Sequence, residues 1–254
     1  MKSCFLLPAV LVFALVLPLS AQVDVSHQRL VYNQINKNEA AYKRVSVSTT
    51  LGDLQWELNG WFDGNELRKI EAKVPGEDGD CSTEFYLEKD ELVFVFRTYT
   101  AAGARKEKFE NRYYFKDWEM VQWIGPDKKA VDPKNADYMP EKAGLTDKAM
   151  KFGIALKEKR LVGAPVQVLE GVFTGIEEGD YYHWDMRSTA GKQTSFFILK
   201  ADASVDRVVT NAKAFVGKKC RIKWKPSVVT IPEEGGKIEL DQILSVEWIT
   251  GQKK

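Results

Sequence analysis

Few side chains in this sequence are suited to acid–base or nucleophilic chemistry. The chain of 254 residues holds two histidines, His27 and His183, and three cysteines. It contains no GxSxG, HExxH, P-loop or GxGxxG motif, so neither an activated nucleophile nor a phosphate site is indicated. Carboxylates are abundant, but no spacing pairs two of them as a glycosidase requires. The sequence therefore predicts no catalytic residue, no cofactor and no metal ligand, and it favours a protein that is not an enzyme.

The richest group of functional side chains lies in one strand-like segment, residues 180–187. Successive side chains of a strand point to opposite faces. One set is apolar and is expected to fill a core: Tyr182, Trp184 and Met186. The alternate set can stack, donate and accept hydrogen bonds, and it is the candidate ligand-binding site: Tyr181, His183, Asp185 and Arg187. The alternative is an ordinary polar strand face that pairs laterally with its neighbours.

Two cysteines lie outside the first 21 residues, Cys81 and Cys220. A disulfide between them is one interpretation, because proteins outside the cytoplasm can meet an oxidant. Two buried free thiols are the other interpretation, because cysteine is a frequent core residue.

The acidic residues Glu77, Asp78 and Asp80 offer carboxylate oxygens of the kind that calcium binds. They lack the spacing of an EF-hand loop, which favours a solvated loop.

Residues 1–21 have the organisation of a secretory signal peptide. Lys2 gives a basic start, residues 5–19 form an apolar run, and Ala21 is a small residue at the cleavage point. The run is shorter than the roughly 20 residues that a membrane-spanning helix needs. Because Cys4 lies far before the cleavage point, a lipid anchor is not expected. We therefore expect an exported protein, periplasmic or extracellular, without a membrane span after cleavage; a short N-terminal membrane anchor is the alternative.

Charge is balanced along the chain, with 37 Lys and Arg against 36 Asp and Glu. Nucleic acids and anionic membranes both attract strongly basic proteins. One basic ridge is indicated, where Arg221, Lys223 and Lys225 alternate with apolar residues. Single-stranded nucleic acid binds such ridges in many barrels. The overall balance favours a solvated strand face instead, and no nucleic-acid partner is predicted.

Residues 22–135 are predicted to form one α+β domain. Its first part, residues 26–44, has helical periodicity. A heptapeptide of aromatic, apolar, three turn-like residues, Glu, and Leu or Met then occurs three times, at residues 61–67, 86–92 and 114–120. Polar turns between strand-like runs are typical of β-hairpins. Three hairpins in succession predict an antiparallel meander of about six strands, with the helix as the cover of one face.

Each heptapeptide begins with an aromatic residue: Trp61, Tyr86 and Tyr114. Equivalent positions in successive hairpins would align these rings on one sheet face. An exposed row would suit sugars or peptidoglycan, whereas a buried row would pack beneath the helix. The buried row is favoured, because buried aromatics dominate core energetics.

Residues 136–164 are predicted as a linker and a helix, which either packs between the domains or begins the second.

Residues 165–254 show the predicted order β-β-β-α-β-β, which is the order of the five-stranded OB barrel. Three motifs also resemble small OB-like domains of uncharacterised exported bacterial proteins: Gly179-Asp180-Tyr181, Gly217-Lys218-Lys219 and residues 231–236. The resemblance covers this C-terminal region only. It implies a barrel that commonly binds its ligand on the outer surface of strands two and three, but it implies no particular ligand.

These features together predict an α+β, mostly β protein: a helix on a hairpin meander, then an OB-like barrel. The predicted function is that of an exported, non-enzymatic binding protein of the cell envelope or medium, with a protein, peptide or cell-wall polymer as ligand. A proteinaceous inhibitor or immunity-type protein directed against a hydrolase is the alternative. An enzyme built around His183 and Asp185 is a third hypothesis, which a deep pocket around the histidine would support.

Overall fold

The computed structural model describes residues 23–74, 79–101, 107–231 and 236–249. The predicted signal peptide, most of the acidic loop and most of the 231–236 motif lie outside these residues. Within them the chain is mostly β, with a seven-stranded antiparallel sheet, a closed five-stranded barrel and three α-helices. The predicted fold class, α+β with a hairpin meander and an OB-like barrel, is confirmed.

The sheet is a meander in which each strand pairs with the next along the chain. Its strands are β1 Lys43–Leu51, β2 Leu54–Asp63, β3 Glu66–Val74, β4 Gly79–Glu88, β5 Glu91–Ala101, β6 Lys108–Lys116 and β7 Glu119–Ile124. It has one strand more than the sequence predicted, because β1 begins inside the segment assigned to the first helix. In β1, Val45 and Val47 alternate with exposed residues and pack on the core, as a strand at a sheet edge should.

The three heptapeptides form three hairpins with two-residue loops, and the first turn differs from the other two because only Gly64 of its two loop residues has positive φ. In the second, Lys89 and Asp90 both have positive φ, 53° and 65°. Two positive φ values are the signature of a type I′ turn, which matches the twist of antiparallel strands. Each hairpin also carries a β-bulge directly after its aromatic residue: Trp61, Tyr86 and Tyr114. The sequence repeat is therefore a repeat of two-residue loop, bulge and buried ring.

The first helix, α1, is Ser26–Asn38, and a 3-10 turn at Glu39–Ala41 leads into β1. It ends earlier than predicted, since residues 43 and 44 belong to the sheet. Its Val31 and Ile35 are buried against one sheet face. The cluster on this face comprises Val25, Val31, Ile35, Tyr86, Val93, Phe94 and Tyr114. Each such side chain contributes roughly 1.5–3 kcal/mol by leaving water.

The second helix, α2, is Tyr138–Leu161 and covers the opposite face of the sheet. Its buried stripe consists of Leu145, Ala149, Phe152 and Leu156. This stripe meets a larger cluster from the strands, including Trp56, Phe62, Phe85 and Phe115. The predicted cover of one face by α1 is confirmed. Helix α2 covers the other face, because both faces of the central strands are apolar and both must be buried.

The barrel consists of β8 Gln167–Glu178, β9 Tyr182–Ser188, β10 Gln193–Phe197, β11 Lys219–Ile231 and β12 Gly236–Trp248. Its strands close in the order β10-β12-β11-β8-β9, and β10 pairs with β12 in parallel. Helix α3, Ala203–Val209, lies between the third and fourth strands. The Asp202 side chain caps α3 by accepting a hydrogen bond from the Ser204 backbone N–H. This is the predicted order β-β-β-α-β-β.

Arg160 near the end of α2 joins the sheet to the barrel. Its Nη2 lies 2.6 Å from Oε1 of Glu239 on β12, and its Nη1 donates to Oδ1 of Asn65 at 2.8 Å. The guanidinium also lies 5.1 Å from the ring centroid of Phe62. On the neighbouring turn of the helix, Lys157 lies 3.7 Å from Glu239. Charged groups of α2 thus hold the barrel against the helix.

Candidate functional site

The candidate site residues lie on β9 and on the residue before it. His183 and Asp185 are half-buried and Arg187 is exposed, whereas Trp184 and Met186 between them are buried. The predicted alternation of β9 is therefore present. Tyr182 differs from the prediction: it is 41% exposed, and its hydroxyl donates to Glu178. This hydrogen bond raises the pKa of the Tyr182 hydroxyl.

An aromatic group lies at the end of this face where β9 begins. The ring centroids of His183 and Phe197 are 4.2 Å apart, and those of Tyr181 and Phe197 are 6.4 Å apart. Phe197 lies opposite His183 in the β9–β10 ladder. Sequence reasoning missed Phe197, although the alternation in β10 of buried Phe196 with half-buried Phe197 was a signal. We call Tyr181, His183, Asp185, Arg187 and Phe197 the β9 face.

Polar groups continue the β9 face away from the rings. Asp185 lies opposite Ser195, and Arg187 lies opposite Gln193. The Gln193 side chain donates to the Thr174 hydroxyl at 3.0 Å, which fixes this amide across the strands. The face therefore presents an aromatic patch at one end and a carboxylate, a hydroxyl and a guanidinium at the other. Such a surface can stack on a planar group and bind polar groups beside it.

The β9 face rests on a rigid core. Trp184 and Phe173 are fully buried, with ring centroids 4.4 Å apart, and Trp184 also contacts Trp248. Gly171 on β8 lies so close to β9 that a Cβ there would be 2.2 Å from the carbonyl oxygen of Arg187. Close-packed interiors of this kind resist small displacements. The backbone beneath the β9 face is therefore held in one position.

Both cysteines are free in the structure. Cys220 is fully buried in the barrel core, and burial raises the pKa of its thiol to about 11. Cys81 is half-buried on β4, where it lines a cavity of about 350 Å³ together with Lys73 and Asp80. The two thiols thus occupy different environments, one inside the barrel and one on the sheet.

The basic ridge of β11 is partly neutralised. Nη2 of Arg221 lies 2.6 Å from Glu170, and Nη1 lies 3.4 Å from Glu247. Both carboxylates belong to neighbouring barrel strands, because Arg221 pairs with Glu170 on β8 and with Glu247 on β12. Cross-strand pairing of opposite charges is ordinary on a solvated sheet face.

The heptapeptide aromatics form part of one row across the sheet. Tyr86 and Tyr114 lie in the cluster against α1, on either side of Phe94, and Trp61 is 8% exposed. The buried row was the favoured interpretation, and these three rings are buried. Lys69 interrupts the row, with its Nζ 5.2 Å from the Trp61 ring centroid.

The Lys69 ammonium is almost fully buried, and two carboxylates neutralise it. Its Nζ lies 2.9 Å from Glu39 and 3.1 Å from Glu84. Burial by itself lowers the pKa of Lys69, but the hydrogen bond to Glu39 and the charge of Glu84 outweigh that effect and raise the pKa. With both carboxylates engaged, Lys69 acts as a structural cation rather than as an acid–base group.

No group of three or more His, Cys, Asp and Glu side chains in the described part of the chain is placed to hold a metal ion. None of the helices seen there combines the length and apolar character that crossing a membrane requires.

No family model matches the chain, and no curated protein matches it. Among solved structures, the crystal structure of the Cpx pathway activator NlpE from Escherichia coli is similar to this chain, with 10% sequence identity and a TM-score of 0.24. The match covers 83% of this chain and 97% of that chain.

Proposed function

We propose that this chain is an exported, non-enzymatic binding protein and that the β9 face is its contact surface for a protein or peptide. The observation that carries the proposal is the aromatic group of Tyr181, His183 and Phe197, with His183 and Phe197 in ring contact at 4.2 Å on an outer barrel face. Export is supported by the signal-peptide organisation of residues 1–21.

The surroundings of His183 support binding rather than catalysis. A general base needs a hydrogen-bonding partner that orients its ring and a pocket that excludes water. Among the described residues, no side chain hydrogen-bonds to His183, and Asp185 is its neighbour on the same open strand face. A half-buried imidazole beside Phe197 is instead suited to stacking against a partner.

The composition of the β9 face supports a protein or peptide as the partner. Binding energy in protein interfaces concentrates in aromatic and Arg side chains that a partner desolvates, and Tyr181, Phe197 and Arg187 supply both kinds. Asp185 adds a group that selects partners by charge. A rigid barrel beneath the face means that binding costs little ordering of the backbone.

Site-specific photo-crosslinking tests the proposal. A benzophenone amino acid is placed at Phe197, and a matched one at the exposed Lys223 on the outside of β11. Crosslinking in the cell envelope followed by mass spectrometry should give one dominant partner from Phe197 and none from Lys223. Equal labelling from both positions would refute the β9 face as the site.

Affinity measurements with the purified partner complete the test. We expect His183→Ala and Phe197→Ala each to weaken binding about 10- to 30-fold, the effect of removing an interface hot spot of about 2 kcal/mol. Lys223→Ala should bind like wild type. Unchanged affinity in both site variants, with the fold intact by circular dichroism, would overturn the proposal.

A further inference from the structure

A cavity of about 330 Å³ lies between α1 and the β5–β6 part of the sheet. It is on the face of the sheet that α1 covers, away from the barrel and its β9 face. Helix α1 contributes Gln28, Arg29 and Tyr32 to its wall, and the sheet contributes Phe94, Arg112 and Tyr114. A volume of this size is at the lower end of the range of small-molecule pockets.

The floor of the cavity is aromatic. The ring centroids of Phe94 and Tyr114 are 5.1 Å apart, and those of Tyr32 and Phe94 are 5.3 Å apart. Phe94 and Tyr114 are neighbours in the β5–β6 ladder, so the two rings hold fixed positions. This floor suits a planar or aliphatic body that can lie against the rings.

One buried polar atom in the wall has no protein partner. Gln28 is 5% exposed, and its Nε2 donates to the carbonyl oxygen of Phe115 at 2.9 Å. That bond fixes the orientation of the amide, because a flipped amide would place Oε1 of Gln28 against the carbonyl oxygen of Phe115. Oε1 of Gln28 is then a buried acceptor without a hydrogen bond. An unpaired buried acceptor destabilises the folded state, so a ligand donor that reaches Oε1 would be favoured.

Positive charge surrounds the opening. Arg29 and Arg112 both line the cavity and are exposed. Arg112 has one acidic partner, Glu110, at 3.4 Å, and its guanidinium lies 5.8 Å from the Phe96 ring centroid. Among the described residues no carboxylate lies within 4 Å of Arg29, although the charges of Asp24 and Arg29 interact at longer range. Arginine binds carboxylates through two parallel N–H donors, so the opening is suited to an anionic carboxylate.

We propose that this cavity binds a small carboxylate ligand with an aromatic or branched apolar body and one hydrogen-bond donor. The body lies on Phe94 and Tyr114, the donor reaches Oε1 of Gln28, and the carboxylate pairs with Arg112 and Arg29. The site is independent of the β9 face, since no residue is shared between them.

Titration with defined probes tests this site on the mature full-length protein. The probes are indole-3-acetate and 4-hydroxyphenylacetate, with their uncharged primary amides as controls, followed by two-dimensional NMR. We expect saturable shifts of the Gln28 side-chain amide and of backbone signals in β5 and β6, with a Kd of about 1 mM or tighter. The amides should bind at least about tenfold more weakly, because they lack the charge that Arg112 pairs with.

Variants separate a built site from non-specific attraction to basic residues. Arg112→Gln should weaken probe binding about tenfold and Arg112→Lys should restore part of it, whereas the matched control Arg44→Gln should have no effect. Arg44 is an exposed arginine on the same sheet face, stacked on Trp61 instead of the cavity. The proposal is overturned if no probe shifts Gln28, or if Arg44→Gln weakens binding as much as Arg112→Gln.

Discussion

Replacing Gly171 by alanine should open the barrel between β8 and β9. Gly171 pairs with Cys220 on β11 and with Ser188 on β9, so it is held from both sides. A Cβ at this position would lie 2.2 Å from the carbonyl oxygen of Arg187 and 2.7 Å from Cε of Met186. The nearer atom belongs to the backbone, which cannot rotate away as a side chain does.

The size of the effect follows from that distance. The β9 backbone must retreat by about 1 Å before the oxygen reaches ordinary van der Waals distance from the new carbon. Overpacking of this kind costs about 1–3 kcal/mol, and each weakened ladder hydrogen bond adds about 1 kcal/mol. We expect Gly171→Ala to lose about 3 kcal/mol. With a urea m value of about 2 kcal/mol per molar, the midpoint falls by roughly 1.5 M.

Gly175→Ala is the matched control on the same strand. No atom lies within 4 Å of a Cβ built at Gly175, which pairs with Asp185 on the outer side of β9. This variant should keep wild-type stability or gain about 0.5 kcal/mol, because alanine restricts the unfolded chain. Urea unfolding of both variants is followed by circular dichroism and by tryptophan fluorescence. If Gly171→Ala lies within about 1 kcal/mol of Gly175→Ala, the packing argument for a fixed β9 face is wrong.

Two further predictions concern the buried thiol and the helix that joins the sheet to the barrel. Burial raises the pKa of Cys220 from its ordinary 9.0 to about 11, so the unfolded thiol ionises first and stability falls as pH rises from 9 to 11. Urea unfolding at each pH should show that wild type loses about 2–3 kcal/mol of unfolding free energy over this range relative to Cys220→Ala. If the unfolding free energies of the two proteins change equally with pH, the raised pKa of Cys220 is contradicted. Arg160→Met should cost about 2–3 kcal/mol, less than a fully broken buried pair because Lys157 still faces Glu239. The control Lys237→Met removes a half-exposed ion pair with Glu158 and should cost under about 1 kcal/mol in the same urea assay. If Arg160→Met and Lys237→Met lose the same stability, the joining role of Arg160 is refuted.

The sequence alone determined the features that depend on neighbouring residues. Alternation along β9 predicted that Trp184 and Met186 would be buried and that His183 would lie on the other face. The heptapeptide repeat predicted hairpins, because turn residues and the strands beside them are encoded together. The order of strands and helix in the C-terminal region predicted an OB-like barrel, because few topologies accommodate that order.

Only the tertiary structure decided which distant residues meet. Phe197 lies beside His183 because of the register of the β9–β10 ladder, and register depends on how the whole barrel closes. Helix α2 covers the second sheet face because that face is also apolar, a property that the periodicity of α2 itself does not show. Gln28 and Arg112 share a cavity only after α1 packs on the sheet. Local patterns specify which face a side chain takes, whereas its neighbours across strands and helices are fixed by long-range packing.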